Sequence, residues 1–323
     1  MTPCQAGYMK NIKIIEVKSE IGAGTRGASL GVDAIKIAAL DFMSNFFVHF
    51  PTEVLETENK LLFEPIESPY AKRIKGILTM YERVSRSVLE TVKSGWFPVV
   101  LSGDHSTAGA TIAGIKMAKP KSRLGVIWID AHADLHTPYT TPSGNMHGMA
   151  LAIAIGEDNL ECKVHDIDDH AAKLWNQLKN IGKTHPKISP EDIVLISLRD
   201  YEKEEEFLIK HYGMKIITTG EVRRKGPEAI ARIVFRTLSE CDLIYISFDV
   251  DSLDASLTRG TGTPVGSGLK EREAEDLISK FMQHRKICCF EISEVNPTLD
   301  RENLMAEIAF NILQRSVNML LMN

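Results

Sequence analysis

Acidic and imidazole side chains alternate directly after an apolar segment near the middle of the chain. Asp130, His132 and Asp134 follow residues 126–129, which have the composition of a buried strand. If the backbone stays extended, alternate side chains point the same way, so these three groups converge. Mixed carboxylate and imidazole ligands suit a divalent cation such as Mn2+. The alternative is a solvated, inert strand end at which the aspartates only cap turns.

Two further polar groups follow apolar segments of the same kind. His105 comes after residues 97–101, and Asp249 and Asp251 come after residues 243–248. Each group alone is more typical of a structural hydrogen bond or a turn. Together, three strands would deliver six ligand groups to one sheet edge, more than one ion needs. Two ions that share bridging carboxylates would use all six and would lower the pKa of a bound water, which indicates metal-assisted hydrolysis.

The elements that would position these groups alternate between strands and helices. The predicted strands are residues 12–17, 97–101, 126–129, 193–198, 215–218, 243–248 and 287–292. The predicted helices include residues 32–47, 69–94, 107–118, 202–212, 227–239, 271–284 and 302–321. Because the strands are continuously apolar, helices should cover both sheet faces. We therefore predict an α/β fold, a three-layer α-β-α sandwich with a mostly parallel central sheet whose strand ends carry the site.

Composition limits the class of protein. The chain has 323 residues, of which 44% are hydrophobic and 25% charged, with a formal net charge of -5. This charge argues against nucleic acid or an anionic membrane as partner, and no apolar run is long enough for a membrane span. Five cysteines without disulfide or zinc spacing indicate reduced thiols and a cytoplasmic protein. We predict one catalytic domain over residues 10–323, with residues 1–9 disordered or left from cloning.

The three polar motifs resemble the metal motifs of the ureohydrolases, the family of arginases, agmatinases and formimidoylglutamases. They occupy residues 103–106, 130–134 and 247–254, and the resemblance extends in order from about residue 12 to the end of the chain. It implies an arginase-like fold and two Mn2+ per subunit, with Asp130 and Asp249 bridging the ions. The implied ligands are His105, Asp130, His132, Asp134, Asp249 and Asp251.

The resemblance also implies a mechanism and its catalytic residues. A hydroxide bridging the two ions would attack the guanidinium carbon, and Asp134 would pass a proton to the leaving amine. His147 matches the proton-shuttle histidine of the family, and its titration range suits that role. Glu294 matches the carboxylate that pairs with the guanidinium group, whereas we interpret Glu291 as structural.

Residues 137–148 resemble the arginase form of the substrate loop, in which hydroxyl and amide groups hold an α-carboxylate. Asp200 and its neighbours resemble the segment that binds the α-amino group, although acids in the first turn of a helix are also favoured by its dipole. His136 stands where arginases commonly carry Asn. The predicted substrate-binding residues are His136, Thr141, Ser143, Asn145, Asp200, Glu202 and Glu205.

These resemblances predict hydrolysis of L-arginine to L-ornithine and urea by a homo-oligomer, a trimer or hexamer as is usual in the family. The alternatives are agmatinase, formimidoylglutamase or another guanidino-acid ureohydrolase, but agmatine lacks the carboxylate that the substrate loop would hold. A metal-stabilised relative without activity is a different class of protein. Nucleotide binding depends on the glycine-rich residues 22–31 alone, which lack the spacing of a phosphate-binding motif.

Overall fold

A parallel eight-stranded sheet forms the centre of residues 11–322, the part of the chain that this computed structural model describes. The strands are β1 (Ile12–Val17), β2 (Thr52–Val54), β3 (Phe97–Ser102), β4 (Leu124–Ile129), β5 (Ile193–Ile196), β6 (Lys215–Ile217), β7 (Leu243–Asp249) and β8 (Ile287–Ser293). They lie in the order β2-β1-β3-β8-β7-β4-β5-β6, and every pair is parallel. The prediction for residues 1–9 lies outside the described residues.

Helices cover both faces of this sheet. They are α1 (Gly31–Asp41), α2 (Phe46–His49), α3 (Ile74–Lys93), α4 (Ala108–Ala118), α5 (Ala150–Ile155), α6 (Asp169–Lys179), α7 (Lys203–His211), α8 (Thr219–Thr237), α9 (Glu271–Met282) and α10 (Leu304–Leu321). Ile127 and Ile129 share one buried cluster with α1, α8, α9 and α10, whereas Val126 and Trp128 share the other with α3 to α7. The predicted α-β-α sandwich is confirmed. Among residues 11–322, no helix has the length and apolar character to cross a bilayer.

Several element boundaries differ from the sequence prediction. The helix predicted over residues 32–47 ends at Asp41, because Met43 has a φ of 51°, a left-handed conformation that stops a helix. Strand β2 was not predicted, since it has three residues at a sheet edge and is mostly exposed. Helix α8 begins at Thr219, with a capping box, and kinks at Gly226, so residues 227–239 correspond to its second half alone.

The strand order explains why distant parts of the chain meet. Strands β3, β8, β7 and β4 are consecutive neighbours in the centre of the sheet. Because all four run in the same direction, the residues that follow them lie at one edge. These are His105 after β3, Glu294 after β8, Asp249 at the end of β7 and Asp130 after β4.

Candidate metal centre

The imidazole of His105 faces three carboxylates. Its Nδ1 lies 3.1 Å from Asp130 Oδ2, 3.1 Å from Asp134 Oδ2 and 3.2 Å from Asp249 Oδ2. All four side chains are buried. On the other side of the ring, Nε2 lies 2.7 Å from Ser247 Oγ, which suits a proton on Nε2 and leaves the Nδ1 lone pair towards the carboxylates. His105, Asp130 and Asp134 have ligand atoms close enough together to hold one cation, and Asp249 Oδ2 lies beside them.

A second cluster shares Asp130 with the first. His132 Nδ1 lies 2.9 Å from Asp251 Oδ2 and 3.5 Å from Asp130 Oδ1. These three ligand atoms are close enough to hold a metal ion together. All six predicted metal ligands therefore lie in one place, in two clusters that Asp130 joins.

Backbone N–H groups orient the carboxylates. Asp130 Oδ1 accepts from the His132 N–H at 2.7 Å, and Asp249 Oδ1 accepts from the Asp251 N–H at 2.7 Å. The extended strand ends at Ile129, so alternation along a strand, as the sequence predicted, does not cause the convergence. Tight turns do so, and Asp134 has a φ of 51°, a left-handed conformation that is uncommon for residues other than glycine.

Four carboxylates crowd together in the cluster. Burial, together with the charges of Asp251 and Asp130, raises the pKa of Asp249 well above its usual range. Burial and the Asp130 charge raise the pKa of Asp134 to about 6. His105 Nδ1 is buried and forms no hydrogen bond of normal geometry with any residue of the described range. An unpaired nitrogen among crowded carboxylate oxygens is the environment that divalent cations occupy, so these residues fit a metal centre.

Two further predicted catalytic residues contact each other beside this centre. Glu294 Oε1 accepts from the His105 N–H at 2.9 Å and lies 3.0 Å from His147 Nδ1. Burial alone would lower the pKa of His147, but the Glu294 carboxylate raises that pKa to about 9. Glu294 also has a left-handed φ of 68°. The contact between His147 and Glu294 therefore connects the substrate loop of residues 137–148 to the end of β8.

A pocket of about 290 Å³ opens over the centre. Its lining includes all seven predicted substrate-binding residues, namely His136, Thr141, Ser143, Asn145, Asp200, Glu202 and Glu205. His147, Asp134 and Thr263 also line it, and Thr263 Oγ1 donates to Asp251 Oδ2 at 3.0 Å. Residues predicted from three separate motifs thus surround one cavity.

One wall of the pocket is the loop of residues 141–145. Thr141 Oγ1 accepts from the Gly144 N–H at 2.9 Å, and Ser143 Oγ accepts from the Asn145 N–H at 3.2 Å. Each hydroxyl therefore keeps its own proton for a ligand. The glycine-rich loop supports this wall, because the His147 N–H donates to the Gly22 carbonyl at 3.2 Å. This contact supports a pocket rim as the role of the glycines.

Another part of the pocket lining is acidic. Glu202 Oε2 lies 2.9 Å from His136 Nε2, and this hydrogen bond lowers the pKa of Glu202 to about 2. His136 Nδ1 lies 3.2 Å from Thr140 Oγ1, so both ring nitrogens have protein partners. His136 is therefore placed to position Glu202. Asp200 is exposed, and its Oδ2 lies 3.7 Å from His132 Nε2.

Glu205 is bound by the protein itself. Its Oε1 accepts from the Leu135 N–H at 3.0 Å, and its Oε2 accepts from the Glu202 N–H at 3.1 Å in the capping box of α7.

We expect Glu205→Ala to lower the free energy of unfolding by about 2 kcal/mol, because two N–H groups lose their acceptor. Denaturation by urea measures this. Glu206→Ala, which removes a surface pair with Lys210, should lower it by about 0.5 kcal/mol, and equal losses would contradict the assignment.

Some contributors to the site were not predicted from the sequence. Trp128 Nε1 donates to Asp130 Oδ2 at 3.0 Å, and the indole stacks on the His105 ring at 4.2 Å. Arg199 donates to the carbonyls of Asp251 and Leu253 at 2.8 and 3.2 Å and so joins β5 to the third motif. Its position beside Asp200 was a usable signal, but only the fold shows what it contacts.

Comparisons with known proteins agree with this geometry. The model of the arginase family matches residues 10–317. The arginase of Brevibacillus brevis is 36% identical over 321 residues, covering 94% of this chain and 96% of that protein. The crystal structure of arginase from Bacillus caldovelox has 35% identity and a TM-score of 0.79, covering 96% and 98% of the two chains. Formimidoylglutamase from Bacillus subtilis, at 18% identity and a TM-score of 0.73, shares the fold.

Proposed function

Because this chain belongs to the arginase family and is a hydrolase of guanidino carbon–nitrogen bonds, we propose that it converts L-arginine to L-ornithine and urea. The observation that carries the proposal is one pocket with three distinct walls. The ligand clusters form one part of its lining, neutral donors of residues 141–145 form a second part, and Asp200 and Glu202 form a third. These walls complement a guanidinium group, an α-carboxylate and an α-amino group.

The six ligand groups would hold two Mn2+ per subunit. His105, Asp130, Asp134 and Asp249 would hold one ion, and His132, Asp130, Asp249 and Asp251 the other. Four ionised aspartates carry four negative charges, which two divalent cations balance, and mixed carboxylate and imidazole donors suit Mn2+. When bound, the ions supply Lewis-acid activation of water, making it nucleophilic near neutral pH.

The protein's own groups would orient the substrate and move protons. Glu294, buried beside the cluster, would pair with the guanidinium group and hold its carbon over the base of the pocket. Asp134, which lines the pocket, would take a proton and pass it to the departing amine. His147, less enclosed than Glu294 and hydrogen-bonded to it, would exchange protons with solvent.

A panel of guanidino and formimino substrates tests this proposal. We expect kcat/KM for urea release from L-arginine to exceed that from agmatine by at least about a hundredfold, because agmatine leaves the carboxylate donors without a partner. The third substrate of the panel is formimidoylglutamate, whose hydrolysis is measured by the release of formamide. Comparable turnover of agmatine and L-arginine would contradict the assignment, and metal analysis of the same protein would identify the bound ions.

We also propose that the protein is a cytoplasmic homo-oligomer, a trimer or hexamer, with residues 10–323 as one catalytic domain. The cysteines support a cytoplasmic location, because proteins of that compartment keep their thiols reduced. Among the described residues, Cys162, Cys241, Cys288 and Cys289 form no disulfide with one another. Membership of a family that usually forms trimers or hexamers supports the proposed assembly. Light scattering in solution measures it directly.

A further inference from the structure

A lysine from outside the predicted site contacts the loop of residues 141–145. Lys72 Nζ donates to Asn145 Oδ1 at 3.0 Å, and the Lys72 N–H donates to the Gly144 carbonyl at 2.9 Å. Lys72 is half-buried and stands 73 residues before Asn145 in the chain. It therefore contacts the loop through its backbone and through its charge.

The contact fixes which way the Asn145 amide faces. An ammonium group can only donate, so it must meet Oδ1, which leaves the two N–H donors of Nδ2 for other partners. Nδ2 lies over Gly24, where an added Cβ would come within 2.5 Å of it. Because Asn145 lines the pocket, its amide is set to offer donors. Without Lys72 the amide could turn, and its carbonyl oxygen would then repel a carboxylate.

The loop and the segment that carries Lys72 are packed as one unit. Gly144 has a φ of 75°, and a Cβ at this position would lie 1.8 Å from the Pro69 carbonyl oxygen. His165 Nε2 donates to the Thr141 carbonyl at 2.7 Å, and its ring stacks on Tyr70 at 3.7 Å. The ammonium group is therefore held in a fixed relation to the hydroxyls of the loop.

The charges of the pocket are arranged asymmetrically. Thr141, Ser143 and Asn145 offer neutral donors, whereas Asp200 and Glu202, elsewhere in the pocket lining, are acidic and would repel a carboxylate. Lys72 brings a positive charge into contact with the neutral wall. A hydrogen-bonding group that is polarised by a charge binds an anion more strongly than a neutral group alone.

We propose that Lys72 is a positioning residue that determines substrate specificity. It orients Asn145 and adds positive charge to the carboxylate side of the pocket, so that the enzyme selects guanidino substrates with a negatively charged α-substituent. This inference rests on the proposed function and deepens it.

Lys72→Met tests the role with two substrates, L-arginine and L-argininamide, in which a neutral amide replaces the carboxylate. We expect KM for L-arginine to rise about tenfold, the lower range for a hydrogen bond to a charged group, with kcat within about twofold of the wild type. KM for L-argininamide should stay within about twofold. Lys72→Arg, which keeps the charge, should show a smaller rise in KM for L-arginine than Lys72→Met. Lys75→Met, the same change at an exposed lysine nearby, is the matched control.

The outcomes separate this inference from the proposed function. Equal losses with both substrates, or no change with either, would overturn the role of Lys72. If Lys72→Met does not fold, Lys72→Gln replaces it, because this variant keeps a donor to Asn145 without the charge. A rise in KM for L-arginine relative to KM for L-argininamide would support the role of Lys72, and an unchanged ratio of the two KM values would overturn it. A wild-type enzyme that releases no urea from L-arginine would overturn the proposed function itself, regardless of how the variants compare.

Discussion

Asp249→Asn is expected to lower kcat/KM for urea release about a thousandfold. Asp249 contacts His105 in the first cluster and is proposed to bridge both ions, so the variant should lose the activation of water, a contribution of several kcal/mol. A steady-state urea assay with added Mn2+ measures this. In the metal-free protein the same substitution should be stabilising, because removal of one of four crowded carboxylates relieves their repulsion. We therefore expect the Tm measured in EDTA to rise.

Asp254→Asn is the matched control for this variant. Asp254 belongs to the same motif, but its Oδ1 accepts from the Ser256 N–H at 2.9 Å. We expect the control to keep wild-type activity within a fewfold, and to keep the rise in Tm that Mn2+ produces by binding the folded state. Asp249→Asn should lose most of that rise. Wild-type activity in Asp249→Asn would contradict the metal centre at these residues.

The candidate ligands could be predicted from the sequence for a topological reason. Each of His105, Asp130 and Asp249 stands at the end of a continuously apolar strand, and parallel strands bring such ends to one edge. The local geometry could not be predicted in the same way. The turn after Ile129 includes a hydrogen bond from the Ala131 N–H to Asp251 Oδ1 at 3.2 Å, a contact that forms only once β4 and β7 are adjacent, and the left-handed φ of Asp134 has no signal in the sequence.

The fold was predictable wherever burial on both faces imposed a continuous apolar pattern. Strand β2 escaped prediction because an exposed edge strand of three residues carries no such pattern. Residues that support the site from a distance are hidden for a different reason. Lys72 meets Asn145 through the docking of one loop on another, and nothing in the local sequence of either loop records that contact.

Glu294→Gln is expected to lower kcat/KM for L-arginine about a thousandfold while metal binding is retained. Glu294 is buried, contacts His147 and is proposed to pair with the guanidinium group. Removing one partner of a buried ion pair leaves the other charge uncompensated, a loss of about 4 kcal/mol. The urea assay measures the activity. The rise in Tm with Mn2+ should match that of the wild type, because Glu294 contributes no proposed ligand atom.

Glu291→Gln separates the loss of a buried acid from the loss of this particular carboxylate. Glu291 lies three residues earlier, in strand β8, and its Oε2 accepts from the Tyr245 hydroxyl at 2.7 Å. Burial raises the pKa of Glu291, so a neutral amide of the same shape replaces it closely and activity should fall only a fewfold. If the two variants lost activity equally, Glu294 would be a structural residue and the guanidinium group would have to bind elsewhere. Both acids are buried, one within β8 and the other directly after it, so contact with the pocket residue His147 is what distinguishes the two predictions.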